Sequence, residues 1–311
     1  MENKRITILD LGTNTFHLLI ADILNGQVEQ VIHKDYRAVK LGEGGITKGF
    51  ITDEAIQRGL NALEEFKEIA VKHHANQIKA VATSAIRDAK NGKAFIELIF
   101  RELQIEIEII DGDREAELIY KGVRAAVKMA QNPALIMDIG GGSVEFIIAN
   151  SDKIFWKKSY PVGAARLMEQ FHKSDPISLE DISKINTYFD ESLAELITQL
   201  AFYKPRTLIG SAGAFETFAE LVTHQFNLNS ENIEAPDFQF DKVQLNTVWN
   251  LILQSTHDQR SKMQGIIPLR VDMIVVATVL TQYIQQKSGI KELKLSKYAL
   301  REGVLYDLIH K

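Results

Sequence analysis

IMDIGGGSVEFIIAN, residues 136–150, sets three consecutive glycines between Asp138 and Glu145, with apolar residues on both sides. Apolar runs of this length around small residues read as two strands joined by a turn, a hairpin whose bend carries the polar chemistry. A second stretch repeats it. In ILDLGTNTFHLLIAD, residues 8–22, Asp10 falls on Asp138, Gly12 on Gly140, Thr15 on Ser143 and His17 on Glu145, an offset of 128 residues. The same offset lays AVATSAIR (80–87) over LIGSAGAF (208–215), with Thr83 on Ser211. Two separate matches at one spacing point to two homologous halves, each with its own sheet.

The segments around the hairpins agree with that division. A helix is predicted over 53–73, capped by Thr52 with Asp53 and Glu54 in its first turn, and another over 178–200, opening with Ser178 and Asp181 at capping-box spacing. Short β runs at 78–82, 105–110 and 206–209 each precede a helical pattern. The fold class is therefore α/β, a mixed sheet with helices packed on it, twice over. The domains are set at 1–126 and 127–311, with a last helix in 298–311 able to pack back on the first half. The loop KLGEGGITKG (40–49) is the most flexible-looking internal segment, and its glycines lack the strand-to-helix context of a nucleotide loop.

With 311 residues, 45% hydrophobic and 25% charged, the chain can bury two cores. It has no cysteine, which removes disulfides and thiolate chemistry together and fits a reducing compartment. The start MENKRITILDLG is charged as a signal peptide is, but Asp10 interrupts its apolar stretch. MIVVATVLTQYI, the least charged long stretch, is too short to span a bilayer. We expect a cytoplasmic protein with no membrane partner. A net charge of -5 argues against a nucleic-acid surface and requires local donors for any anionic substrate.

The glycines then have a chemical reading. Residues without Cβ let backbone N–H groups approach an anion and adopt positive φ, so Gly140, Gly141 and Gly142 can form a nest around a phosphate while Ser143 adds a hydroxyl. Thr13, Asn14 and Thr15 would do the same in the first half with side-chain donors. The alternative is a plain tight hairpin turn. Asp10 and Asp138 each end a strand before a glycine turn, where a buried carboxylate needs compensation. Mg²⁺, a hard cation commonly shared between one or two carboxylates and substrate phosphates, would supply it; local turn capping is the other reading. Glu145 shares a face with Ser143, and Glu115 lies in the first turn of a helix that Asp113 is expected to cap. Either carboxylate could orient or deprotonate water for attack on phosphorus, although spacing alone favours a surface helix-dipole role for Glu115. Arg87 reads as a phosphate clamp or as the partner of Asp88 or a nearby acid.

DLGTNTFHLLIAD, ATSAIRDAKNG, IIDGDREAELIYKGV, MDIGGGSVEF, PVGAARL, LIGSAGAFETFAEL and LSKYALREGVLYDL follow one another along almost the whole chain. In that order they resemble the exopolyphosphatase and guanosine pentaphosphate phosphohydrolase (Ppx/GppA) family, within the acetate kinase, sugar kinase, heat-shock and actin-like superfamily. The resemblance implies two ribonuclease-H-like domains with the active site in the interdomain cleft. By position it puts the catalytic glutamate on Glu115, a second cleft glutamate on Glu145, and the metal or phosphate-site aspartates on Asp10 and Asp138. It puts phosphate-loop positions on Thr13, Asn14, Gly140, Gly141, Gly142, Ser143, Gly210, Ser211 and Gly213, and the phosphate-binding arginine on Arg87. The implied activity is Mg²⁺-dependent release of terminal orthophosphate from inorganic polyphosphate, or removal of the terminal phosphate of guanosine pentaphosphate.

Three departures accompany the resemblance. The usual EEAR is here REAE, with Arg114 and Glu117 exchanging charge around Glu115. Ala214 stands where the family often has a hydroxyl residue. Many relatives continue into a helical HD-like domain that lies outside this sequence, which leads us to expect less processivity or a preference for shorter polymers. A kinase of the same superfamily and a non-catalytic alarmone-binding regulator are the competing classes, and a homodimer stays open.

Overall fold

The computed structural model describes residues 3–229 and 235–310. The chain divides into two compact units, Met1–Gly122 with Leu300–Lys311, and Val123–Ala299. The division falls inside the helix Gly112–Ala126 rather than after it.

The first unit carries β1 (Asn3–Leu11), β2 (Phe16–Leu24), β3 (Gln27–Arg37), β4 (Gln77–Ala82) and β5 (Ile107–Ile109), in the sheet order β3-β2-β1-β4-β5. β1, β2 and β3 pair antiparallel, and β4 and β5 continue the sheet in parallel with β1. Strand alternation sends Leu9, Leu11, Phe16, Leu18 and Ile20 to one face, where they form a core with Leu63 and Phe66 of the helix Asp53–Lys72 and with Phe95 and Ile99. Thr52 caps that helix, its hydroxyl accepting from Ala55 N at 3.3 Å. The C-terminal helix Leu300–Ile309 packs against β1 and β2. Gly303 permits its close approach to the helix Gly112–Ala126, because a Cβ there would run into the Leu118 carbonyl oxygen.

The second unit carries β6 (Ala134–Ile139), β7 (Val144–Ala149), β8 (Ile154–Tyr160), β9 (Thr207–Ser211), β10 (Asp237–Gln239) and β11 (Glu292–Ser296), ordered β10-β11-β9-β6-β7-β8. Read from β8, the first five positions reproduce the order and directions of the first sheet, and β10 is an added antiparallel edge. Each unit is thus ribonuclease-H-like. Every residue of β6 and β7 is buried, which is why both segments are apolar almost without interruption.

The repeat holds at the level of single hydrogen bonds. Gly12 N donates to Thr15 O at 3.1 Å, and Gly140 N to Ser143 O at 3.0 Å. Asp10 lies opposite His17, and Asp138 opposite Glu145. The second match needs a correction. Thr83 and Ser211 each stand extended before a helix, yet the parallel pairs are two residues out of step: Asp10 lies beside Val81, whereas Asp138 lies beside Ser211. A shift of two keeps every side chain on its face, so the sequence pattern is the same in either register.

The expected helix over 178–200 is two helices, Leu179–Ser192 and Ala194–Tyr203. Ser178 does cap the first, accepting from Asp181 N at 3.0 Å. At its end the Ser192 hydroxyl donates back to Tyr188 O at 2.6 Å, a bond that bends helices, and the fully buried Leu193 leaves helical geometry.

Candidate active site

In the second unit, one row of residues crosses four strands. Ser159 on β8 lies opposite Glu145 on β7, Glu145 opposite Asp138 on β6, and Asp138 beside Ser211 on β9. Two carboxylates directly opposite repel one another, and here a hydroxyl serves each. Ser211 Oγ donates to Asp138 Oδ2 at 2.6 Å, and Ser159 Oγ to Glu145 Oε1 at 2.6 Å. Asp138 and Glu145 are both buried. Burial pushes the Asp138 carboxyl up to about 6; the Ser211 hydrogen bond works against that rise, and the charge of Glu216 adds to it.

Beyond Asp138, the glycine turn is held from behind. Ala164 N donates to Gly140 O, Ala165 N to Gly141 O and Arg166 Nε to Gly142 O, each at 2.9 Å. These peptides are planar and trans, so each N–H points opposite to its carbonyl. The N–H groups of Gly141, Gly142 and Ser143 are therefore turned away from residues 164–166 as a set, the arrangement of an anion nest. None of the three glycines has positive φ, contrary to the expectation from sequence. Close approach requires Gly140, where a Cβ would stand 2.9 Å from Ser143 O, and Gly163, where one would collide with the backbone of Gly141 and Gly142. Gly163→Ala is thus expected to push residues 163–166 off the turn and to destabilise the fold by about 1–3 kcal/mol, the usual cost of overpacking. Urea unfolding measures it.

The helix Ala212–Gln225 begins directly after Ser211. Ala212 is left-handed at φ 62°, a strained conformation for a residue with a Cβ. The Arg270 guanidinium fills the space that a Cβ at Gly213 would take, donating to Thr217 Oγ1 and Glu216 Oε2, each at 3.1 Å. A cation thereby sits on the first turn of this helix. At Gly210 the corresponding space is filled by the Phe215 ring, so that glycine serves packing beneath the site.

The first unit builds its turn in the same way from a different segment. Gly42 N donates to Thr13 O at 3.1 Å and Lys40 N to Asn14 O at 2.8 Å, so the N–H groups of Asn14 and Thr15 are turned away from the 40–42 loop. Thr13 is buried, its hydroxyl 3.0 Å from that of Ser84. The loop that looked flexible in the sequence is the buttress of this turn, and Arg58 holds it by Val39 O at 2.7 Å and Lys40 O at 2.9 Å. In both units the buttress follows the third strand.

Glu115 lies in the first turn of the helix Gly112–Ala126 and is buried rather than on the surface. Arg87 Nη1 donates to Glu115 Oε2 at 2.8 Å and to Ile110 O at 3.2 Å, and Nε donates to Asp88 Oδ1 at 3.3 Å. Two acids and a backbone carbonyl therefore hold the guanidinium. The expected cap is displaced by two residues: Asp111 Oδ1, not Asp113, accepts from Arg114 N at 2.7 Å, and Asp113 is already helical. Arg114 pairs with Glu117 at 3.3 Å and with Asp307 of the C-terminal helix. The charge exchange in REAE thus fastens two helices, and two acids compensate Arg114.

A family model described as the Ppx/GppA phosphatase family matches residues 19–311. The chain belongs to the Ppx/GppA phosphatase family. It is 29% identical over 321 residues to Exopolyphosphatase 2 of Mycobacterium tuberculosis, covering 99% of each chain. A bifunctional 3-dehydroquinate synthase/phosphatase of Fusobacterium nucleatum is 33% identical over 90% of this chain and 43% of its own. The crystal structure of an exopolyphosphatase from Cytophaga hutchinsonii is similar with a TM-score of 0.95 and 40% identity, over 99% of this chain and 98% of that one.

The described residues contain no cluster of three or more His, Cys, Asp or Glu side chains that could hold a metal ion. Mg²⁺ does not need one, since it keeps several waters and takes one or two carboxylates with substrate oxygens. Asp138 fits it. Its carboxyl is a hard oxygen donor whose charge is disfavoured by burial, a cost that a cation offsets.

Several residues of this Ppx/GppA site escaped the reading of spacing alone. Gly163 to Arg166 carry a signal only in the small-residue run GAA after a strand. Ser159, Ser84 and Arg270 carry none, because each meets its partner through pairing or packing that no local pattern announces.

Proposed function

We propose that this Ppx/GppA protein is an exopolyphosphatase, releasing orthophosphate from the end of inorganic polyphosphate. The observation that carries the reading is the pair of turns, 13–15 and 140–143, whose carbonyls are bound from behind so that successive amides face the other way. Such amides suit the oxygens of a terminal phosphate, with Ser143 as a hydroxyl donor, whereas the Ser211 hydroxyl is already given to Asp138. The names and coverage of the relatives agree with it.

In this reading Asp10 in the first unit and Asp138 in the second would each serve as an oxygen ligand for Mg²⁺, which when bound would offset phosphate charge. Glu115, fixed by Arg87, orients the attacking water and accepts its proton, and Glu145, fixed by Ser159, assists. Arg87 stands by as a clamp for phosphate oxygens.

The test is a side-by-side assay of the purified protein with and without Mg²⁺ on short polyphosphate, long polyphosphate and guanosine pentaphosphate. Orthophosphate from polyphosphate without an acceptor supports the reading. Release from guanosine pentaphosphate alone would make it a nucleotide 5'-phosphohydrolase, and recovery of every substrate intact would make it a binding protein.

A further inference from the structure

In the first unit, a chain of polar contacts begins at the C-terminal helix and ends beside Asp10. Glu302 is 3% exposed and accepts from Lys34 Nζ of β3 at 3.0 Å and from Arg301 Nε at 2.8 Å. Burial pushes its carboxyl up, but Arg301 and Lys34 outweigh burial and hold it below its ordinary value. Glu302 is therefore an ionised anchor for Arg301. The other arm of that guanidinium, Nη1, lies 3.2 Å from His17 Nδ1. A guanidinium can only donate, so Nδ1 is the bare nitrogen and the ring proton resides on Nε2. His17 sits between Asp10 on β1, its opposite number in the register, and Tyr36 on β3, whose ring is 6.3 Å away. The same place in the second unit holds Glu145.

We propose that Arg301 is a positioning residue, which fixes His17 as the Nε2–H tautomer so that a neutral donor orients the Asp10 carboxylate. The two units then differ by design. The second sets an acid beside its aspartate, and the first sets a donor there. A carboxylate that must hold a cation and a phosphate terminus is aligned by such an outer partner, as metal ligands generally are. This rests on the role given to Asp10 above.

The ring tautomer is read by ¹⁵N NMR of histidine-labelled protein without substrate, with His17 assigned by its loss in His17→Gln. The proton is expected on Nε2 in the native protein. Arg301→Lys keeps a cation for Glu302 but loses the second arm. It is expected to fold with a near-native melting temperature, to mix the His17 tautomers and to lower kcat ~10- to 100-fold, as loss of an outer partner does, with KM little changed. In a His17→Gln background, whose amide supplies the donor in place of Nε2–H, Arg301→Lys should add little, because Arg301 acts through the ring. A native His17 protonated on Nδ1, or an Arg301→Lys protein with native kcat, overturns the proposal. The tautomer decides it even in a protein that releases no orthophosphate, which is the result that defeats the function itself.

Discussion

Replacing Glu115 with Gln is expected to lower the rate of orthophosphate release ~10²- to 10⁴-fold, the loss typical of a missing general base. The substitution keeps the shape of the side chain and an amide oxygen for Arg87 Nη1, 2.8 Å from the carboxylate in the native protein. Arg87 also retains Asp88 and Ile110 O, so its guanidinium has no reason to leave. Stability should fall by only about 1–2 kcal/mol, the worth of one charged hydrogen bond made neutral. Substrate binding should survive, because the amides of both turns are untouched. Phosphate-release kinetics with urea unfolding separates the effects. A Gln variant that keeps more than a tenth of native turnover removes Glu115 from the role of base.

Asp138→Asn is expected to do two opposite things. It should lower turnover at least ~100-fold, through loss of the carboxylate proposed above to hold the cation. Without metal it should also stabilise the fold at neutral pH. The Asp138 carboxyl titrates at about 6 in the folded protein against 3.8 ordinarily, so between these values the folded state binds more protons than the unfolded chain. Its contribution to stability is fully present below pH 3.8 and is lost as pH rises through 6. The loss above pH 6 is about 3 kcal/mol, at ~1.4 kcal/mol for each pH unit between 3.8 and 6. Asn cannot ionise and can still accept from Ser211. The variant should therefore exceed the native protein by about 1–3 kcal/mol at pH 8 in chelator, with the gain gone near pH 4. Added Mg²⁺ should stabilise the native protein and not the variant. Equal pH dependence in both proteins would show that Asp138 does not carry this cost.

Much of the framework could be read locally. The alternation of Leu9, Leu11, Phe16 and Leu18, the caps at Thr52 and Ser178, and the doubled hairpin are short-range features, governed by strand periodicity and by orphan amides at helix ends. The cap falls on Asp111 rather than Asp113, since the two are chemically equivalent and only the backbone chooses between them. The break at Leu193 follows from burial that the helical pattern of 178–200 does not reveal.

What the residues determined by themselves is the doubled unit: two hairpins at an offset of 128, each with an aspartate before a turn of small or hydroxyl residues. That much follows from side-chain periodicity and turn chemistry, which act over a few positions. Only the tertiary structure decided what stands behind and beside those turns. Loop 40–42 binds the carbonyls of Thr13 and Asn14, residues 164–166 bind those of Gly140 to Gly142, and Arg301 reaches His17 from the far end of the chain. Nor could the two-residue difference in register, which gives Asp138 a serine and Asp10 a valine, be read from pattern. Side chains return to the same face every second residue, so both registers bury the same atoms, and the choice falls to packing between segments remote in sequence.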